Sequence, residues 1–310
     1  MLKAMADGLA TFIPRVRHWF FKGTSGTDEA RYCYSVWLRH LVMAARSGLS
    51  QTPSVVAELG PGDSLGIGLA ALLSGAERYY AFDMVRHANC EGNLKVFDEL
   101  VQLFSKRTDI PNQEEYPQIK PSLDCYRFPV HILGEEQVRK ALDQRRIDSI
   151  RRALRGEPTQ EVVVSYRVPW LKNTVVEPGS VDMIFSQAVL EHVDDLERTY
   201  LACHRWLKPG ALMSHQIDFR CHGLAYNWNG HWTYTDWLWR LIRGTRPYFL
   251  NRQPYSTHRS LIEAARFEIL LEQRISQHSP LKREELAPRF RALSDVDLTT
   301  SGWFVQARRA

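Results

Sequence analysis

The chain has 310 residues, 44% of them hydrophobic, which is enough for one large domain or two small ones with a real core. Its net charge of +5 is too small, by itself, to argue for nucleic acid. Five scattered cysteines (Cys33, Cys90, Cys125, Cys203, Cys221) form no CxxC pair, which points to reduced thiols in a cytoplasmic protein and away from a disulfide framework.

Residues 1–23 mix Leu9, Phe12, Ile13, Trp19, Phe20 and Phe21 with Lys3, Arg15, Arg17 and Lys22. A basic amphipathic segment of this kind can pack on its own domain or touch the inner face of a membrane peripherally; Pro14 interrupts it. Asp7 and Gly8 break up any signal-peptide core, and no apolar run is long enough to cross a bilayer. Residues 27–46 read as a helix, with Thr27 as its cap.

Residues 54–59 read as a buried strand, followed by a glycine turn, a small-residue helix over 65–73 and a second strand over 78–82 that stops at Asp83. Apolar spacing predicts a helix over 93–104. Residues 105–160, with Pro111, Pro117, Pro121 and Pro129 ahead of the charged run 135–154, read as an insertion on the rim, its helix solvated. Strands are expected over 161–166, 181–186 and 211–219, with a helix capped by Asp194 or Asp195 before the last. After an aromatic stretch, 221–250, a helix over 257–266 precedes an antiparallel pair, 267–275 and 303–307. The resulting expectation is an α/β protein: residues 1–50 as an N-terminal helical cap and 51–310 as one Rossmann-like domain, with an insertion between its second and third strands.

The turn ELGPGDSLG decides the ligand. In an open α/β sheet, ligands sit beyond the carboxyl ends of the strands, where strand order reverses. Gly60 and Gly62 let the backbone approach closely. A dinucleotide motif needs its third glycine one place earlier than Gly66. Glu58 would repel a pyrophosphate and attract an ammonium or sulfonium. Those two cations belong to S-adenosylmethionine, and Asp83 is placed to accept from ribose hydroxyls.

These stretches, with YAFDM, VDMIFSQAVLEHV and WLKPGALMSHQID, resemble the successive motifs of class I S-adenosylmethionine-dependent methyltransferases, of the methyltransferase-11-like bacterial small-molecule or glycan type. The likeness runs over about 54–220 apart from the insertion. It implies a seven-stranded sheet with the last strand antiparallel. It also implies S-adenosylmethionine as cofactor, contacted by Glu58, Gly60, Pro61, Gly62, Asp63, Ser64, Asp83, Met84, Ser186 and Gln187. Ser64 stands where a further glycine is usual. Tyr166 and Arg167 follow strand three where an acid is frequent, so the adenine contacts stay open.

Methyl transfer to a hydroxyl benefits from a base. His222, at the end of the fifth strand, is the first candidate, then His231 within WNGHW, then His192 in VLEHV. His215, inside a strand, reads as a core residue. No metal is expected, because His215 and Asp218 of one strand point to opposite faces. Arg243, Arg246 and the pair Asn251 and Arg252 are candidate contacts for an anionic acceptor. Trp228, Trp232, Trp237 and Trp239, with Asn227, Asn229 and Asp236, suit a sugar or serve as core. The expected acceptor is an oxygen, before a nitrogen, of a small molecule or saccharide; the charge pattern and the absence of an NPPY motif argue against nucleic acid. The rival readings are an NAD(P)-dependent oxidoreductase and a non-catalytic protein of the same fold. Oligomeric state is not legible.

Overall fold

A computed structural model describes residues 2–13, 26–170, 175–246 and 248–310. Seven strands form one sheet: β1 (Val55–Leu59), β2 (Arg78–Phe82), β3 (Val163–Arg167), β4 (Val181–Gln187), β5 (Leu207–Asp218), β6 (Phe267–Ser276) and β7 (Thr300–Arg309). Their order is β3-β2-β1-β4-β5-β7-β6. Five strands run parallel, and β7 lies antiparallel to both β5 and β6. The order reverses between β1 and β4, so their carboxyl ends open a crevice there.

The helices are α1 (Leu2–Ala10), α2 (Ala30–Arg46), α3 (Gly66–Leu73), α4 (Cys90–Ser105), α5 (Glu135–Ala141), α6 (Gln144–Leu154), α7 (Leu196–Trp206), α8 (Asp236–Arg243), α9 (Tyr255–Ala264) and α10 (Asp295–Thr299). They cover both faces of the sheet, which is why β1 and β4 read as near-continuous apolar runs. One face packs against α2, α3 and α4 through Trp37, Leu69 and Phe97. The other packs against α7 and α9 through Tyr200, Trp206 and Ile262.

Three local expectations change. Thr27 does not cap α2; Glu29 occupies the cap position without a side-chain bond, and Thr27 is engaged elsewhere, as described below. The charged run is two helices, α5 and α6, broken where the Asp143 carboxylate accepts from the Arg145 N–H. It is not simply solvated: Val138, Ile147 and Ile150 join the core under α4, together with Ile110, Ile119 and Phe128 from the loop before it. Charged residues outnumber apolar ones here, but the apolar ones share a face.

At the N-terminus α1 lies against α8, and a Cβ on Gly8 would stand 2.0 Å from the Leu241 carbonyl oxygen. Ala4 and Met5 face that contact, while Leu9, Phe12 and Ile13 are exposed. Arg15, Arg17, Trp19, Phe20, Phe21 and Lys22 lie outside the described residues. No helix among the described residues is long and apolar enough to cross a membrane.

Candidate functional site

The glycine turn follows β1 at the reversal point. Gly60 (φ +64°) and Gly62 (φ +78°) both occupy the left-handed region that side chains disfavour. A Cβ on Gly60 would lie 2.6 Å from Val189, in the loop after β4. The two loops bordering the crevice therefore touch, and only glycine lets them. The Gly60 N–H donates to the Phe82 carbonyl at 2.8 Å, tying the turn to the end of β2.

A second clamp comes from before α2. The Thr27 hydroxyl accepts from the Asp63 N–H at 2.8 Å, and the Ser64 hydroxyl donates to the Thr27 carbonyl. Ser64 Oγ also accepts from the Gly66 N–H at 2.9 Å, so it fixes the first turn of α3. Pro61 and Ser64 are buried, and Asp63 is half-buried.

Glu58 is directed beneath the turn rather than toward the crevice. It is 1% exposed, and Tyr79 Oη donates to its carboxyl beneath α3. Gly68 leaves room for that arrangement, since a Cβ there would stand 2.0 Å from the Tyr79 ring. Burial pushes the Glu58 pKa from 4.5 up to about 8, against the pull of bonds from Tyr79 and the Gly68 backbone. At neutral pH the group holds its proton. It braces the underside of the turn and presents no free charge to a cationic ligand.

Asp83 keeps its place. It is half-buried just past β2, and its Oδ1 accepts from the Met84 N–H at 2.7 Å and weakly from the Val85 N–H at 3.4 Å. Met84 is exposed beside it. A pinned carboxylate at this edge is an acceptor-only group, the right chemistry for a pair of ribose hydroxyls. Beyond it Arg86 lies over the Tyr166 ring at 4.8 Å.

At the end of β4 the neighbours diverge. Gln187 is half-buried and meets His40 at 3.1 Å. Ser186 is fully buried, and its hydroxyl is turned into the core toward His215 Nδ1 at 2.8 Å, so only its backbone borders the crevice. His215 is the core residue its strand position implied, and burial pushes its pKa down to about 3.

His222 stands at the carboxyl end of β5 with its ring part-exposed, and its Nε2 lies 3.3 Å from Asp218 Oδ2. Its φ of +48° and the +54° of Ala188 put two non-glycine residues in left-handed geometry at this rim. Arg220 fixes Asp218 in turn, with Nη2 2.5 Å from Oδ2. Burial raises the Asp218 pKa, but the bonds from His222 and Arg220 outweigh it and hold the group well below the usual carboxylate range. His192, in the 3-10 turn Leu190–His192, comes within 5.3 Å of His222, ring to ring. Burial, and then the His222 charge, push His192 down to about 4.

His231 is not at the rim. It is 2% exposed between Trp232 and Trp239, and burial pushes its pKa down to about 3. The proposed anion contacts are also engaged internally. Arg243 reaches Asp194 at 2.5 Å, and Arg246 donates to the Arg243 carbonyl and lies 4.1 Å over the Phe249 ring. Arg252 is buried, bonded to Asp236 and the Tyr234 carbonyl. Asn251 clamps the turn carrying His192, donating to the Leu190 and Val193 carbonyls at 2.7 and 2.8 Å. Trp232 and Trp239 are core; Trp237 is exposed.

Two participants escaped the sequence. Thr27 gave no signal, because a turn threonine before a helix reads as a cap. Glu191 did give one: an acid inside the apolar stretch VLEHV is out of place unless something needs it. It is 3% exposed, and no side chain hydrogen-bonds to its carboxyl.

Residues 137–214 match a family model described as a methyltransferase domain. No curated protein sequence matches the chain significantly. Among solved structures, it is similar to an S-adenosylmethionine-dependent methyltransferase from Mesorhizobium loti (13% identity, 87% of this chain and 98% of that one, TM-score 0.42). It is also similar to one from Methanosarcina mazei (12%, 86% and 96%, 0.44). A third is phosphoethanolamine N-methyltransferase 2 of Haemonchus contortus, in complex with S-adenosyl-L-methionine (14%, 88% and 52%, 0.43). A seven-stranded sheet with a reversed last strand, a turn that only glycine can make and the match over residues 137–214 together give this chain a methyltransferase domain of Rossmann-like fold.

Proposed function

We propose that the enzyme methylates a hydroxyl oxygen of a small molecule or saccharide. One observation carries this reading: an aspartate-held histidine, Asp218–His222, stands open at the end of β5. A hydroxyl must lose its proton as it is methylated, whereas an amine attacks without a base.

S-adenosylmethionine supplies a methyl group already activated by its sulfonium. The chain's own part is to hold, align and exclude water. The turn 60–64 and the end of β4 would border the methionine portion, and Asp83 would accept from the ribose hydroxyls. Asp218 orients the His222 ring so that one nitrogen faces the hydroxyl and takes its proton. Neutral His192 sits beside that ring and lets the new charge be shared by Asp218 alone.

The acceptor side supports a polyhydroxylated ligand. On the segment that follows β5 lies a groove of about 490 Å³, lined by Tyr226, Asn227, Thr233, Tyr234 and Glu285. Tyr226 is fully exposed there, an aromatic face for a sugar ring with amide, hydroxyl and carboxyl groups around it.

The test is a labelled-methyl assay against pooled saccharides and small hydroxylated metabolites, with wild type and His222→Asn. Asparagine tolerates the left-handed backbone at 222. The variant should bind S-adenosylhomocysteine like wild type and turn over about a hundredfold more slowly, the lower range for loss of a general base. Undiminished turnover in the variant rules out His222 as the base, and label recovered only on amines overturns the hydroxyl reading.

A further inference from the structure

We propose that Glu191, His192 and His222 form a binding site for a divalent transition-metal ion. One ligand atom from each residue lies within 4.8 Å of the other two. Around a single ion at roughly 2.0–2.2 Å such atoms sit closer still, so small side-chain rotations would draw the three in on binding. The three come from two loops, the turn after β4 and the end of β5, which meet at the acceptor side of the crevice.

The second observation is what the groups lack. Glu191 is 3% exposed, and no side chain reaches its carboxyl, which has only the backbone N–H groups of Glu191 and Asp218 near it. The buried Nδ1 of His192 is likewise reached by no side chain. Burying a carboxyl with so little compensation is costly, and a cation shared with the His192 ring would offset it. Asp218, at 3.3 Å from His222 Nε2, supplies the carboxylate that orients a ligating imidazole from behind. Asn251 fixes the turn that carries the other two ligands, its own N–H donating to the Glu191 carbonyl at 2.7 Å.

Two imidazole nitrogens and one carboxylate oxygen suit zinc, manganese or iron(II), and suit magnesium or calcium poorly. Three protein ligands leave a position open. A hydroxyl bound there would be acidified by the ion, with His222 holding the ion as a ligand when it is present and acting as the base when it is not. That role rests on the hydroxyl reading above; the site itself does not.

The experiment titrates Zn²⁺ into the chelator-treated full chain by calorimetry, with Mg²⁺ as the contrast. Wild type should take up one Zn²⁺ per chain and no Mg²⁺. Glu191→Gln and His222→Asn should each weaken Zn²⁺ binding at least tenfold, while S-adenosylhomocysteine binding reports that both variants are folded. His222 lies at the surface, so its variant keeps the test open should Glu191→Gln fail to fold. Absence of stoichiometric Zn²⁺ uptake, or equal affinity in wild type and a folded variant, overturns the site. Zn²⁺ uptake lost in the variants, with methyl transfer found only to amines, upholds the site and removes the hydroxyl reading.

Discussion

Replacing Asp83 by alanine is expected to weaken S-adenosylhomocysteine binding about a hundredfold. The carboxylate is half-buried and pinned by the Met84 N–H, so it needs little ordering to receive a ligand. Hydrogen bonds to a charged group are worth about 1.5–3 kcal/mol each, and two ribose hydroxyls give a loss of roughly 3 kcal/mol on truncation. Each 1.4 kcal/mol or so is a factor of ten in affinity. Asp83→Asn keeps the shape and one acceptor oxygen, so it should fall between wild type and alanine. Calorimetric titration of the three proteins checks the order. Equal affinities would remove Asp83 from the donor site.

Glu58→Gln is expected to change the pH dependence of stability. The folded pKa of Glu58 is raised to about 8 from 4.5, chiefly by burial. Between those values the folded state holds a proton that the unfolded state has released. Stability contributed by this group is therefore full below about pH 4.5, falls as pH rises toward 8, and stays low above it. The slope is up to about 1.4 kcal/mol per pH unit. Glutamine carries no titrating proton, so the variant should show a flatter profile over pH 5–8 and gain on wild type toward pH 9. Urea midpoints of both proteins across that range are the measurement. Parallel profiles would show that Glu58 is ionised in the folded protein.

This second result bears on how the donor is chosen. Its charge suggested that Glu58 selects a cation, yet its contacts make it a brace. Tyr79 reaches it from the adjacent strand, across a gap that Gly68 leaves open. On the proposed reading, donor recognition then falls to Asp83, the backbone of the turn and the end of β4. The family expectation survives because it rested on the succession of motifs as well as on that one charge.

The sheet was legible because each buried parallel strand is a short apolar run between turn residues, and β2 was bounded to the residue. The closing pair β6–β7 was expected as the antiparallel end of the sheet, and both strands formed there. Side-chain direction was not. A sequence does not say that Ser186 faces His215 or that His231 lies between two tryptophans, since those contacts join separate elements. Nor does it show Thr27 bonding to a loop 36 residues away. The run 135–154 misled because its charges hide the shared face of Ile147 and Ile150. The positions of His222 and Asp83 at the strand ends were legible, because a polar residue directly after a parallel strand lands at the ligand-binding edge of such a sheet.

The most direct test of the account is equilibrium binding to the unmodified chain, with S-adenosylhomocysteine and NAD titrated separately under the same conditions. The account predicts one S-adenosylhomocysteine bound per chain and no NAD. Uptake of NAD with no binding of S-adenosylhomocysteine would contradict it.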